Sequence, residues 1–249
     1  MRVWVIAFAN EKPVFLKECF QKKLEFLKQN DDIGIFVNDK GYLDNTRNEI
    51  FKEVFEDSPN AILLQNENKE SLKGGSIYLG LSYALTNFPD AELILYSDID
   101  DSMDLQDGIS KLNALDCSKT DIIDVFAGIR SKRALRDMVC SKAYSLFVKL
   151  LYPKLFKISD LHACFKAFRP YVLRDFFNSC KITDIGFSFE YDILLFSLQK
   201  YTIKQFKVGW EESKFTSGRT IKNIFKTILR VIKKRFFIKN STVYKFYRG

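Results

Sequence analysis

The sequence is poor in residues that break regular structure and in the soft ligands from which zinc sites are built. It has only 11 glycines and 5 prolines in 249 residues, so long flexible linkers are not expected. Its single histidine, His162, accompanies five cysteines, no two of which form a C-x-x-C pair. We therefore expect no zinc site made of cysteine and histidine. Reduced thiols in a cytoplasmic protein are the simplest interpretation of the odd cysteine count.

Long apolar runs are absent as well. No segment reaches the roughly 18 consecutive apolar residues that a transmembrane helix needs. The apolar stretch at residues 3–9 is too short for a signal sequence, and we interpret it as the first core strand. A content of 47% hydrophobic and 28% charged residues is typical of a folded globular protein.

Acidic residues are missing from the C-terminal end of the sequence. Residues 221–249 contain nine Lys or Arg and no Asp or Glu, whereas the remainder is nearly neutral. The net charge of +8 therefore belongs to a tail, and we expect a domain over residues 1–220 followed by a basic tail over 221–249.

Short apolar runs alternate with stretches of helical periodicity. Strands are predicted at residues 3–8, 33–37, 61–64, 93–96, 122–129 and 202–208. Helices are predicted at residues 13–29, 46–55, 76–86, 134–152, 171–178 and 190–200. This alternation predicts an α/β fold in which helices flank a mostly parallel sheet.

Polar residues follow each of the first four predicted strands. The four clusters are Asn10 with Glu11, Asn38 with Asp39, residues 66–68, and residues 98–101. Open parallel sheets bind their ligands outside the carboxyl ends of the strands. Four polar clusters at one predicted edge therefore indicate a ligand site.

Asp98 and Asp100 stand two residues apart, directly after the fourth predicted strand. Two carboxylates at this spacing can bind one cation, or divide a ribose and a cation between them. Oxygen ligands suit Mg²⁺ or Mn²⁺, which neutralise a diphosphate. An ordinary acidic loop with a helix N-cap at Ser102 explains the same residues equally well, because Asp-x-Asp is a short motif.

Five further residues are candidates with ordinary alternatives. Lys73 opens a Gly-Gly turn before a helix, where a phosphate is favoured, although a simple turn fits too. Arg219 lies in a basic Ser-Gly-Arg loop that is suited to a diphosphate or to a surface linker. Glu190 and Asp192 follow aromatic residues, and each is either a base or acceptor-orienting acid, or an ordinary helix-start acid. His162, beside Asp160, is interpreted as structural.

Taken in order, these motifs resemble those of glycosyltransferase family 2, whose fold is GT-A. The resemblance is carried by residues 5–11 (VIAFANE), 37–41 (VNDKG), 73–76 (KGGS), 97–100 (SDID), 128–130 (GIR), 160–169 (DLHACFKAFR), 186–190 (GFSFE) and 217–219 (SGR). Within the family the sequence looks most like dolichyl-phosphate mannose synthases and polyprenyl-phosphate glycosyltransferases. It departs from the pattern at Ala7, Ala9, Asn38, Cys164 and Arg219.

The resemblance implies an inverting transfer of sugar from a UDP- or GDP-linked donor, with Mn²⁺ or Mg²⁺ as cofactor. The metal would lie at Asp98 and Asp100. The implied donor-binding residues are Ala7, Ala9, Glu11, Asp39, Lys73, Asp98, Ile99, Arg130 and Arg219. Among them, Asp39 would contact the base of the nucleotide, and Lys73 and Arg219 would face its diphosphate. Asp100, Glu190, Asp160 and Arg219 are the candidate catalytic residues.

The tail is amphipathic from Thr220 onward. Its apolar residues at helical spacing are Ile221, Ile224, Phe225, Ile228, Ile232 and Phe236, and Lys and Arg fill much of the remainder. A basic amphipathic helix can lie on an anionic membrane surface, or its apolar stripe can pack on the protein. Nucleic-acid binding is disfavoured because the rest of the chain is nearly neutral.

We therefore expect a peripheral enzyme on the inner face of the membrane that works in cell-envelope glycan synthesis. The expected acceptor is a polyprenyl phosphate, which is already anionic and needs no strong base. The alternatives are a sugar hydroxyl of a lipopolysaccharide or capsule glycan, or a non-catalytic module that binds nucleotide sugars or membranes.

Overall fold

The computed structural model describes residues 1–8, 12–38, 45–56, 58–66, 73–100, 102–117, 122–131, 135–180 and 189–211, with residues 228, 229, 231, 232 and 235. The strands are β1 (Arg2–Phe8), β2 (Ile33–Asn38), β3 (Ala61–Gln65), β4 (Leu93–Asp98), β5 (Val125–Arg130), β6 (Lys166–Phe168) and β7 (Ile203–Val208). The helices are α1 (Pro13–Gln29), α2 (Asn45–Phe55), α3 (Lys73–Asn87), α4 (Leu105–Cys117), α5 (Leu135–Leu151), α6 (Pro170–Ser179) and α7 (Phe189–Lys200), and a 3₁₀ helix spans Pro153–Lys157.

The seven strands form one sheet in the order β3-β2-β1-β4-β6-β5-β7. All neighbouring strands are parallel except β6, which runs antiparallel to both β4 and β5. The expected α/β fold with a mostly parallel sheet is confirmed.

Helices cover both faces of the sheet, so the central strands are apolar along their whole length. On β1, Trp4 and Ile6 belong to a core shared with α1, α2 and α4. Val3 and Val5 point the opposite way, into a core shared with α3, α6 and α7. Strands buried on both faces have near-continuous apolar runs, which made β1 and β4 recognisable in the sequence.

Helix α4 was not predicted, because a glycine lies within its first turn and a half. At Gly108 an added Cβ would come within 2.4 Å of the Phe165 ring, so the glycine permits close packing of the helix. The helix start is fixed by Asp104, whose Oδ1 accepts a hydrogen bond of 2.9 Å from the backbone N of Asp107.

Strand β6 was also missed, and β5 begins later than predicted. Only three residues make up β6, and one of them is the fully buried Lys166. A buried lysine conceals the apolar pattern from which a strand is recognised. Strand β5 begins at Val125, whereas the prediction began at residue 122.

The described part of the tail packs on the rest of the chain. Val231 is fully buried in a cluster with Val148 and Leu155, and its carbonyl accepts a 3.0 Å hydrogen bond from the Tyr152 hydroxyl. Val231 is not part of the expected apolar stripe, whose member Ile232 is only partly buried. Within the described ranges, no helix is both long enough and apolar enough to cross a membrane.

Helix α3 approaches β1 closely at a glycine. A Cβ added to Gly80 would lie 2.3 Å from Val5 Cγ1 and 3.1 Å from Val37 Cγ2. Both valines are fully buried, so they have little room to move. This contact fixes the distance between α3 and β1, whose carboxyl end forms part of the candidate site.

We expect Gly80→Ala to lower the free energy of unfolding by about 1–2 kcal/mol in urea denaturation. Because the added Cβ would lie 2.3 Å from an atom of the fully buried Val5, the overpacking cost falls in the upper part of the usual range of about 1–3 kcal/mol and exceeds the gain of about 1 kcal/mol from replacing a helical glycine. Thr86→Ala, at an exposed position of the same helix, is the matched control and should change stability little. A Gly80→Ala protein as stable as the wild type would contradict the close packing.

Candidate active site

The carboxyl end of β4 places Asp98 beside the end of β1. Asp98, the last residue of β4, is in register with Ala7 on β1. The backbone N of Ile99 donates a 3.2 Å hydrogen bond to the carbonyl of Ala7, which continues the pairing one residue beyond the strand. Three of the predicted donor-binding residues, Ala7, Asp98 and Ile99, therefore meet at one edge of the sheet.

Lys73, the first residue of α3, reaches the same edge. Its ammonium forms an ion pair with the Asp98 carboxylate, and it lies 3.0 Å from the Cys164 sulfur. The side chains of Lys73 and Asp98 are 21% and 25% exposed, so a ligand can reach them. The structure thus brings together two residues that are 25 positions apart in the sequence and that the family resemblance assigned to one donor site.

The two partners hold each other in their charged forms. Burial by itself would lower the pKa of Lys73, but the charges of Asp98 and Glu190, the hydrogen bond with Asp98 and the neighbouring Cys164 together raise that pKa well above its usual range. Burial would likewise raise the pKa of Asp98, but the charges of Lys73 and Lys166 and the hydrogen bonds with Lys73 and Cys164 together lower that pKa. Asp98 is therefore a carboxylate at neutral pH, as a metal ligand must be.

Asp100 faces the next turn of the chain. Its Oδ1 accepts hydrogen bonds from the Ser102 hydroxyl at 2.6 Å and from the Ser102 backbone N at 3.3 Å. Because α4 begins at Leu105, Ser102 is not the helix N-cap that the acidic-loop alternative required. Burial first, and then the negative charge of Asp98, raise the pKa of Asp100.

The donor set fits a hard divalent cation. A cation near Asp98 and Asp100 would relieve the repulsion between the two carboxylates that raises the pKa of Asp100. No group of three or more His, Cys, Asp or Glu suited to a metal occurs among the described residues. Mg²⁺ commonly binds through one or two carboxylates together with waters and substrate phosphates, so two aspartates are sufficient.

Glu190 reaches this site through a buried lysine. The Lys166 ammonium, on β6, lies 3.3 Å from Glu190 Oε2 and 5.3 Å from the centroid of the Tyr96 ring. The charge of Glu190 is close enough to help raise the pKa of Lys73. Lys166 was assigned no role from the sequence, because its neighbours Phe165 and Ala167 carry no signal of an ion pair with a residue 24 positions away.

Cys164 occupies the position at which the resembled family has a glycine. Burial first, and then the charge of Asp98, raise the pKa of its thiol to about 12. The thiol is therefore neutral at physiological pH, and it acts as a contact of Lys73 rather than as a nucleophile.

Arg130 and Asp160 were assigned separate roles, but the structure pairs them with each other. The guanidinium donates two hydrogen bonds of 2.8 Å to the two carboxylate oxygens. The side chains are only 7% and 2% exposed. Asp160 also accepts a hydrogen bond from the His162 backbone N, so its contacts are those of a residue that orders the loop rather than those of a base.

The Arg130 guanidinium also contacts α5 and the segment after β7. It donates to the Ser141 hydroxyl on α5 at 3.1 Å and lies 5.9 Å from the centroid of the Trp210 ring. Arg130 therefore links the end of β5 to α5 and to the segment after β7. The remaining predicted site residues, Ala9, Glu11, Asp39 and Arg219, lie outside the described residues.

Comparison with known proteins gives a clear result for the fold. No family model matches the chain, and no curated protein matches it. The solved structure of glucosyl-3-phosphoglycerate synthase from Mycobacterium tuberculosis, with Mn²⁺, UDP and glucosyl-3-phosphoglycerate, is similar, with a TM-score of 0.63 and 13% identity. The match covers 94% of this chain and 79% of that one.

Two further structures agree. The same synthase with Mn²⁺, UDP-glucose and phosphoglyceric acid has a TM-score of 0.65 at 13% identity, with coverage of 94% and 79%. A mycobacterial protein matches with a TM-score of 0.64 at 14% identity, with coverage of 94% and 74%. The chain therefore has the GT-A fold that the sequence resemblance implied. At these identities the likeness establishes the fold, and the site must be argued from its own residues.

Removing one partner of the buried Arg130–Asp160 pair should destabilise the protein strongly. We expect Arg130→Ala to lower the free energy of unfolding by about 3–5 kcal/mol, because it leaves an uncompensated buried carboxylate. The double variant Arg130→Met with Asp160→Leu should recover most of that loss. Chemical denaturation measures both.

The matched control is the exposed pair of Lys22 and Glu18 on α1, whose side chains are 54% and 60% exposed. Lys22→Ala should cost no more than about 0.5 kcal/mol. If Arg130→Ala cost as little as this control, the pair would have no structural role, and direct donor contact by Arg130 would be the better interpretation.

Proposed function

We propose that the protein is a glycosyltransferase that moves a sugar from a nucleotide-sugar donor, with a divalent cation at Asp98 and Asp100. One observation carries the proposal: Asp98, Asp100 and Lys73 meet at the carboxyl end of β4 in a GT-A fold. The similar mycobacterial synthase was solved with Mn²⁺ and UDP-glucose, which supports the same classes of cofactor and donor here.

The residues at this edge have complementary tasks in such a reaction. Asp98 and Asp100 supply the oxygen ligands of a cation, which would act as a Lewis acid on the donor diphosphate. Lys73 stands at the N-terminus of α3, where the helix dipole and the ammonium both favour an anion. With the cation bound, Lys73 and the helix N-terminus would help it to stabilise the charge that develops on the departing nucleoside diphosphate.

The proposed acceptor is a polyprenyl phosphate at the inner face of the membrane. Such an acceptor is anionic and attacks without a strong base, and the basic residues of 221–249 suit an anionic membrane surface. The resemblance to polyprenyl-phosphate glycosyltransferases favours the same acceptor.

A hydroxyl acceptor is the second candidate, and the position of Glu190 favours it. The Glu190 carboxylate lies at the edge that holds Lys73 and Asp98, and its side chain is 12% exposed. A carboxylate in this place can accept the proton of an attacking hydroxyl. The similar synthase was solved with phosphoglyceric acid, which is itself a hydroxyl-bearing phosphate.

Thermal-shift measurements with UDP-, GDP- and CDP-sugars, with and without Mn²⁺, test the donor and the metal together. A saturating donor at about 100 times its Kd should stabilise the wild type by about 2.7 kcal/mol, and only when the metal is present. Asp98→Asn and Asp100→Asn should abolish the metal-dependent shift. They should also lower transfer at least about 100-fold, since a metal supplies several kcal/mol of charge stabilisation.

Asp90→Asn is the matched control, because Asp90 is exposed and precedes β4 at its opposite end. This variant should behave like the wild type. If both site variants kept a metal-dependent shift and full turnover, the proposed metal site would be wrong. A shift without any turnover on either class of acceptor would instead support a non-catalytic binding module.

Glu190→Gln separates the two classes of acceptor. With a hydroxyl acceptor we expect kcat to fall by about 100-fold to 10,000-fold, because a general base is lost. With a prenyl phosphate acceptor the change should be small, because that nucleophile is already ionised. Glu56→Gln, at an exposed position beyond α2, is the control. If Glu190→Gln changed kcat only slightly, and equally, with both acceptors, Glu190 would have no role as the base.

A further inference from the structure

Helix α5 and the 3₁₀ helix together expose an apolar patch. Leu146, Leu150 and Phe156 are 52%, 66% and 54% exposed. Leu146 and Leu150 are four residues apart and therefore lie on one face of α5. Leu146 and Phe156 line the same cavity of about 260 Å³, which joins the two helices into one surface. Exposed apolar side chains that adjoin one another in this way are typical of a contact site.

Lysines accompany this patch, and the acid nearest to it in the sequence is Asp160. The segment 141–159 contains Lys142, Lys149, Lys154 and Lys157 and no Asp or Glu. Lys142 and Lys149 line the same cavity as Leu146. The one acid of the cavity, Asp160, is neutralised by its ion pair with Arg130. The surface is therefore both apolar and strongly positive.

The described residues of the basic tail contact the buried face of the same two helices. The Tyr152 hydroxyl, between α5 and the 3₁₀ helix, donates to the carbonyl of Val231, and Arg235 lies 5.9 Å from the centroid of the Tyr152 ring. Leu229, in the same part of the tail, is 50% exposed. The described tail residues therefore pack on the buried face of α5, while Leu146 and Leu150 face outward.

We propose that the α5 surface, defined as Lys142, Leu146, Lys149, Leu150, Phe156 and Lys157, docks on an anionic lipid bilayer. Leucine and phenylalanine enter the boundary between headgroups and acyl chains, while the lysines contact the anionic headgroups. Leucine and phenylalanine side chains exposed among lysines match a membrane interface better than they match a nucleic-acid backbone. A second copy of the chain is disfavoured, because a symmetric contact would oppose two positive surfaces.

The inference goes beyond the proposed sugar transfer but is consistent with it. Asp160 lines the cavity in the α5 surface, and four residues later Cys164 contacts Lys73 in the candidate site. A bilayer at this surface would therefore lie one short loop away from the proposed donor site. Docking itself requires only the surface, so it can be tested without turnover.

The experiment is vesicle flotation of the full-length protein. Vesicles of phosphatidylcholine alone are compared with vesicles of phosphatidylcholine and phosphatidylglycerol, at low and high salt. We expect the wild type to float with the anionic vesicles, and less so as salt screens the lysines. Leu150→Asp, and separately Lys142→Glu with Lys149→Glu, should each weaken the apparent vesicle affinity at least about tenfold.

The controls carry the same changes on the other side of the sheet. Val14, on α1, is 84% exposed, and Lys52, on α2, is exposed. Val14→Asp and Lys52→Glu should float like the wild type. Thermal unfolding shows whether each variant is folded, and the Mn²⁺-dependent shift with nucleotide sugar shows whether its donor site is intact.

Three results would overturn the docking proposal. The first is that the wild type does not float with anionic vesicles, and the second is that folded surface variants float like the wild type. The third is that Leu150→Asp abolishes self-association of the protein while its flotation is unchanged. Loss of the donor-dependent shift in every protein, with flotation retained, would instead refute the proposed function and leave the docking surface standing.

Discussion

The ion pair between Lys73 and Asp98 joins the beginning of α3 to the end of β4, and the candidate site is arranged around it. Its position depends on the parallel register of β1 and β4, which sets Asp98 beside Ala7. It also depends on Gly80, which lets α3 lie close to β1. Once these contacts are set, Cys164 and Glu190 fall within electrostatic reach of the pair. Backbone packing and site chemistry are therefore not separable at this edge of the sheet.

The sequence was informative where burial imposes a pattern. Strands covered on both faces are apolar throughout, so β1 and β4 could be recognised, and with them the position of Asp98 at the end of a strand. Helix α4 and strand β6 were missed because Gly108 and Lys166 break the apolar pattern for reasons of tertiary packing. The pairing of Arg130 with Asp160 has no local signal either, since the residues are 30 positions apart.

The residues of the candidate site indicate the role of its donor side more clearly than the role of its acceptor side. On the donor side, Asp98, Asp100 and Lys73 meet at the carboxyl end of β4, the edge at which open parallel sheets bind their ligands, and the charge of Lys73 favours the ionised form of Asp98. On the acceptor side, the sequence offered Glu190, Asp192 and Asp160 as candidate bases. In the structure Arg130 holds Asp160 by two short hydrogen bonds, whereas Glu190 pairs with Lys166 at 3.3 Å and lies within electrostatic reach of Lys73.

The packing of Val231 has a practical consequence for experiments on the basic tail. Its side chain fills part of the cluster formed by Val148, Tyr152 and Leu155, which would otherwise be open to water. Cutting the chain before residue 221 would remove the positive charge. It would also remove Val231 from that cluster and with it the carbonyl to which the Tyr152 hydroxyl donates. Loss of stability or activity in a shortened protein would therefore reflect lost core packing as well as lost charge. Charge-reversal substitutions that keep Val231 change the charge of the tail alone.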